Sequence, residues 1–180
     1  MTRDALVALL RGRDPLAAAA ALTRDGDVTF ARARASGAGL LVDGERELPI
    51  AEHRSAHTEG RASEATVRYG EGVDVEHVAD RLLELAALSR ETGLLRAVCP
   101  VPAEGVRTPG SWGVEDLTVV AAARGTLDPS VRVRPSWTRL GAATCGVTLA
   151  FGADDLVVPE GDGTDVVALA ASAGRRAVPR

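Results

Sequence analysis

From Glu64 onward, short β-rich runs alternate with stretches of helical periodicity four times over, and this alternation constrains the chain more than any other feature. Residues 65–69 read as a strand. Asp74 stands where it would cap a helix over 75–92, with Val78, Leu82, Leu85 and Leu88 on one face and Gly93 as the C-terminal stop. A second strand over 94–99 ends at Pro100, and a loop containing Gly105, Gly110 and Gly113 leads to a helix over 114–127. A strand over 131–134, a helix over 137–151, a strand over 156–158 and a last helix over 164–173 complete the series. Val166, Val167, Leu169 and Ala170 form the inward side expected of that last helix. Alternation of this kind predicts parallel strands with right-handed crossovers. All their C-terminal ends should then open on one side, where βα loops build ligand sites.

The first quarter is less regular. Residues 4–11 carry apolar side chains at helical spacing, and Asp14-Pro15 is a cap followed by proline at the first helical position, opening an alanine-rich helix over 16–22. Residues 28–31 and 40–42 read as short strands separated by turn formers from Ser36 to Gly39. Residues 1–51 are thus expected to form N-terminal helices and short strands, and 52–180 the βα units. With 180 residues the chain is shorter than the roughly 250 of a complete eight-stranded β/α barrel.

Composition narrows the partners. The net charge is −4, with acids and arginines interspersed, so no basic face is expected to neutralise phosphates and nucleic-acid binding is disfavoured. All 21 basic residues are arginine, and lysine, asparagine and glutamine are absent, a bias that reads as GC-rich coding rather than function. The longest uncharged apolar runs fall short of the roughly 20 residues that span a bilayer, and 5–10 lacks the flanks of a signal peptide, so a cytoplasmic protein without membrane contact is expected. Cys99 and Cys145 are the only cysteines and have no metal-ligand spacing around them, so two reduced buried thiols are expected.

Several motifs in order carry a resemblance. His53-Arg54-Ser55-Ala56-His57-Thr58-Glu59-Gly60, then Ser63 to Gly70, resemble a stretch of the aminofutalosine synthases of the futalosine route to menaquinone. Those enzymes are similar to dehypoxanthine futalosine cyclases and FO synthases, all radical S-adenosylmethionine barrels. Arg90-Glu91-Thr92-Gly93, Val98 to Pro102, Val131 to Trp137 with Leu140-Gly141, and above all Phe151-Gly152-Ala153-Asp154-Asp155-Leu156 continue the likeness, which spans about 52–174. Gly26-Asp27-Val28-Thr29-Phe30 resembles the family's entry into its first strand.

The resemblance implies an α/β fold: a partial (half) β/α TIM-like barrel of parallel strands, with the N-terminal helices covering the open side and room for one hairpin between Phe30 and Glu52. The family holds a [4Fe-4S] cluster on three cysteines at C-x-x-x-C-x-x-C spacing after the first strand. That motif is absent here, so no cofactor is expected and the chain is read as a non-catalytic, truncated accessory or binding relative linked to menaquinone biosynthesis. The alternative is a non-radical lyase or hydrolase acting on a nucleoside-like molecule. Unpaired edges and an apolar inner face of a half barrel further imply self-association or docking on a full-length radical S-adenosylmethionine relative.

Four residues stand out as ligand-binding candidates. Glu71 replaces the histidine that aminofutalosine synthases show after Tyr-Gly, reversing the charge preference there. Trp137 could stack on a heterocycle, as could Trp112, although core packing is the commoner role. Asp154 and Asp155 are adjacent in an extended chain, so their side chains point to opposite faces and cannot share a proton as a dyad. Glu71, Asp154 or Asp155 would supply the acid/base groups in the alternative enzyme reading. His53 and His57, at i and i+4, share a face on a helix but lack a third ligand for a metal. Gly161-Asp162-Gly163-Thr164 reads as a turn with Thr164 as the cap of the last helix, and Cys99 is the only position suited to a nucleophile.

Overall fold

The computed structural model describes residues 1–22, 26–32, 39–103 and 113–180. Trp112, Gly105, Gly110 and the turn around Ser36 lie outside the described residues. The elements run α1 (Arg3–Gly12), α2 (Pro15–Ala19), β1 (Val28–Ala31), β2 (Leu40–Val42), α3 (Ile50–Thr58), β3 (Ala62–Tyr69), α4 (Val75–Thr92), β4 (Leu95–Pro102), α5 (Val114–Thr126), β5 (Arg132–Val133), α6 (Trp137–Leu149), β6 (Asp155–Val157), α7 (Val166–Ser172) and β7 (Ala177–Pro179).

The longest helix, α4, shows why these residues fold as they do. The Asp74 carboxylate accepts from the Glu76 N–H at 3.1 Å, and Gly93, at φ 65°, turns the chain out while its N–H closes on Ser89 O at 2.8 Å. Between these caps Val78, Leu82, Leu85 and Leu88 are all buried. Each contributes on the order of 1.5–3 kcal/mol relative to exposure, more than helix propensity supplies.

All strand pairings are parallel. One sheet has the order β2-β3-β4-β5 and the other β6-β1-β7. They abut between β5 and β6, where the Asp154 N–H donates to Val133 O at 3.1 Å and the Asp154 carboxylate accepts the Val133 N–H at 2.8 Å. Asp154 therefore splices the sheets. The result is a partial barrel-like row in which the first strand, β1, lies beside the late strand β6, as the last and first strands do in a closed β/α barrel.

The N-terminal strands differ from expectation. β1 and β2 do not form a hairpin with each other: β1 pairs with β6 and β7, whereas β2 pairs with β3. β7 was not foreseen at all. It takes the free side of β1, and its hydrogen bonds explain how a strand can end there: the Val28 N–H donates to Arg176 O and the Arg180 N–H to Phe30 O. Positions 176, 178 and 180 thus face β1, and the missing N–H of Pro179 falls on the outward side, blunting that edge.

The N-terminal helices do not lie across the open side of the strand row as expected; they join the outer helix layer, where α1 packs on α4 and α5, and α2 on α5. Two further differences are local. α6 is broken at Gly141 (φ 75°, ψ 168°), which sets the turn carrying Trp137 apart from the rest of the helix. The cap of α7 is Asp165, whose carboxylate accepts from Val167 and Ala168 N–H, and Thr164 lies before it. Of the expected inward side, Val166 and Ala170 are buried and Leu169 packs partly buried against the core, whereas Val167 is 60% exposed.

Side chains alternate across the strands. Val28, Ala65, Val67, Val98, Val133 and Leu156 belong to the apolar core shared with the helices. The strand registers put Thr29, Glu64, Thr66, Cys99, Arg134 and Asp155 on the other, inner face. No helix among the described residues is long and apolar enough to cross a membrane.

Candidate functional site

A cleft of about 300 Å³ opens at the C-terminal ends of β2, β4, β5 and β6, lined among others by Gly44, Glu45, Cys99, Val101, Arg134, Trp137, Val157 and Pro159. This is the end at which the βα alternation placed a ligand site.

Its floor is ionic. The Arg134 guanidinium donates to both oxygens of Glu64 (2.5 and 2.8 Å) and through Nε to Asp155 (2.5 Å). Asp155 also accepts from the Thr29 hydroxyl at 2.7 Å and lies 3.1 Å from the Arg180 Nε. Arg134, Glu64 and Asp155 are all buried. Burial works against the Arg134 charge, but the Glu64 hydrogen bonds, with Cys99 and Asp155 adding to them, hold its pKa above the ordinary arginine value. A planar fork between two carboxylates is the geometry that suits arginine rather than lysine.

The wall is fixed from outside the barrel row. Trp137 Nε1 donates to Asp162 at 3.0 Å, and the Arg32 guanidinium holds the same loop through the carbonyl oxygens of Asp162 (2.5 Å) and Thr164 (3.4 Å). Thr164 and then Trp137 keep the Asp162 carboxyl below the usual carboxylate range. On the opposite rim Glu45 pairs with Arg139 at 2.5 Å.

Of the four sequence candidates, Trp137 lines the cleft and Asp155 lies beneath it, joined to it through Arg134. Asp154 points the other way, to Arg124 (3.3 Å), Arg132 (3.5 Å) and the Val133 N–H. The two aspartates thus serve separate clusters, in keeping with their opposite faces. Burial raises the Asp154 pKa against the opposing pull of Val133 and the two arginines. Glu71 is exposed on the turn closed by the Val73 N–H on Gly70 O, and is not among the cleft-lining residues. The three carboxylates thus lie in three separate places: Asp155 beneath the cleft, Asp154 between the two sheets and Glu71 on an exposed turn.

The most specific motif has a structural explanation. Gly152 adopts φ 103°, and a Cβ there would stand 2.7 Å from the Arg124 side chain, the same arginine that holds Asp154. Sequence reasoning missed Glu64 and Arg134. Neither is a lone charge in its run, since β3 also carries Arg68 and β5 contains Arg132, so no local signal separates them; what singles them out is the pairing of distant strands.

The histidines of α3 are buried and have separate partners. His53 Nε2 is 2.9 Å from Asp43, which also pairs with Arg81 at 3.2 Å. His57 sits between the Ser63 and Thr92 hydroxyls, each at 2.8 Å. Among the described residues no group of three or more His, Cys, Asp or Glu could hold a metal ion. The donor set does not fit a [4Fe-4S] cluster. The chain has two cysteines, both buried and on separate elements, β4 and α6; burial pushes the Cys145 thiol up to about 12; and residues 32–39 after β1 include no cysteine.

No family model matches the chain. It is 32% identical over 110 residues to the 5-amino-6-(D-ribitylamino)uracil–L-tyrosine 4-hydroxyphenyl transferase of Archaeoglobus fulgidus, covering 57% of this chain and 32% of the relative. It is 29% identical over 152 residues to the FO synthase of Streptomyces coelicolor, covering 70% of this chain and 18% of that protein. With the aminodeoxyfutalosine synthase of the same organism it shares 29% over 119 residues, or 58% and 31% of the two chains. The chain thus spans about a third or less of the length of these curated relatives. Over more than half of its own length it is homologous, at low identity, to this group of cofactor-related synthases and transferases.

Proposed function

We propose that this chain is a cluster-less relative of radical S-adenosylmethionine synthases, an accessory or binding protein associated with futalosine-type menaquinone biosynthesis, which holds a small nucleoside-like molecule in the cleft above Arg134. The observation that carries the reading is a pre-formed cleft at the ligand-binding end of a β/α row, with Trp137 on its wall, in a chain whose thiols do not suit a cluster. Glu71, outside the cleft, has no part in it. The β2 edge would be covered by a second copy or by a full-length relative, because β7 is blunted by Pro179.

A thermal-stability screen against nucleosides and aromatic metabolites tests it. A ligand at a hundred times its Kd adds about 2.7 kcal/mol, which for a chain of this size is a rise of roughly 5–10 °C in Tm. Such a rise, abolished by Trp137→Ala, is the expected result. No shift with any nucleoside, or turnover of one without S-adenosylmethionine, would overturn the reading.

A further inference from the structure

Building on the reading of the cleft as a nucleoside-type site, we infer that it selects uncharged ligands and rejects their phosphorylated or otherwise anionic forms, with Glu64 as the specificity-determining residue. The argument rests on charge. Arg134 is the cleft-lining cation, and an anion-binding arginine presents its fork to the ligand. Here the fork is turned downward: Glu64 takes both terminal nitrogens and Asp155 takes Nε. Three of the five N–H directions of a guanidinium are thus committed to carboxylates that are themselves buried.

Among the described residues, the cations nearest the cleft are themselves held by carboxylates. Arg180 pairs with Asp155, and the rim contributes Glu45, paired with Arg139. Arg134 and Arg180 against Glu64 and Asp155 sum to zero charge, so an incoming phosphate would find no net attraction to offset the hydration it loses in a partly enclosed site. A neutral carbonyl or amide edge loses far less hydration, and the remaining N–H directions of Arg134 can donate to it.

Isothermal titration with inosine, inosine 5′-monophosphate and inorganic phosphate tests the inference. The native chain is expected to bind inosine at least about tenfold more tightly than the monophosphate and not to bind phosphate. Glu64→Gln keeps the side-chain shape, removes one buried negative charge and is expected to narrow or invert that preference and to gain phosphate binding. Equal or tighter binding of the monophosphate by the native chain overturns the inference, as does a Glu64→Gln protein that gains no affinity for phosphate. If neither inosine compound binds the native chain, the nucleoside reading falls, while the phosphate comparison between native and variant proteins still decides the charge claim. Asp155→Asn repeats that comparison if Glu64→Gln does not fold.

Discussion

Arg134→Met removes the cation that holds the inner face together while keeping an unbranched stem close to the length of the arginine's aliphatic part. In the native chain Arg134 makes three charge-assisted hydrogen bonds to two carboxylates, Glu64 at 5% and Asp155 at 1% exposure. Truncating one partner of a buried ionic cluster costs about 3–5 kcal/mol, because the carboxylates left behind lose compensation without regaining water. Asp155 keeps Thr29 and Arg180, so Glu64 carries most of the penalty. For a chain of this size the loss corresponds to a fall in Tm of roughly 6–20 °C.

Urea titrations followed by circular dichroism would measure it, with Glu64→Gln and the double variant completing a cycle. The double variant should be more stable than the sum of the two single losses implies, by about 1–3 kcal/mol. A cost for Arg134→Met below about 1 kcal/mol, or strict additivity, would refute the claim that the cluster is desolvated.

Three further outcomes follow from the same structure. Burial, with the charges of His53 and Arg54, lowers the His57 pKa below its ordinary 6.5. The unfolded chain therefore takes up this proton first, and stability should drop as pH falls through and below about 6.5; urea midpoints at pH 7.5 and 5.5 should diverge less in His57→Gln than in the native chain, and parallel slopes would contradict it. Cys145, with its thiol pushed up to about 12, should resist iodoacetamide at pH 8 until the chain is unfolded, read by mass spectrometry of the native and urea-treated protein. Gly152→Ala forces a Cβ to within 2.7 Å of Arg124 at a φ that disfavours alanine, and should cost on the order of 2–4 kcal/mol in denaturant unfolding.

What could be read from the sequence was local. The 28–31 and 40–42 strands, the 75–92 helix with its caps and the βα alternation were visible because each is written in contiguous residues: Asp74 and Gly93 frame α4, and the apolar period lies between them. Non-local pairing was not visible. Nothing in 28–31 announces that β1 will lie between β6 and β7, and Arg175, Arg176, Pro179 and Arg180 disguise β7 as a tail.

The same distinction applies to the site. Trp137 and Asp155 stood out as residue types, but the Glu64–Arg134–Asp155 cluster exists only once three strands from distant parts of the chain share a face. Asp154, identical in type to its neighbour, is turned by the strand's two-residue period toward Arg124 and a splice between sheets. Glu71 stood out through a charge reversal within a motif, and the structure sets it on an exposed turn.

Anaerobic incubation of the protein with iron, sulfide and reductant, followed by iron analysis, electron paramagnetic resonance and an assay for S-adenosylmethionine cleavage, bears most directly on the cluster-less reading. The expected result is no stoichiometric redox-active cluster and no 5′-deoxyadenosine. About four irons per chain with a reduced-cluster signal, or release of 5′-deoxyadenosine by the isolated polypeptide, would contradict it.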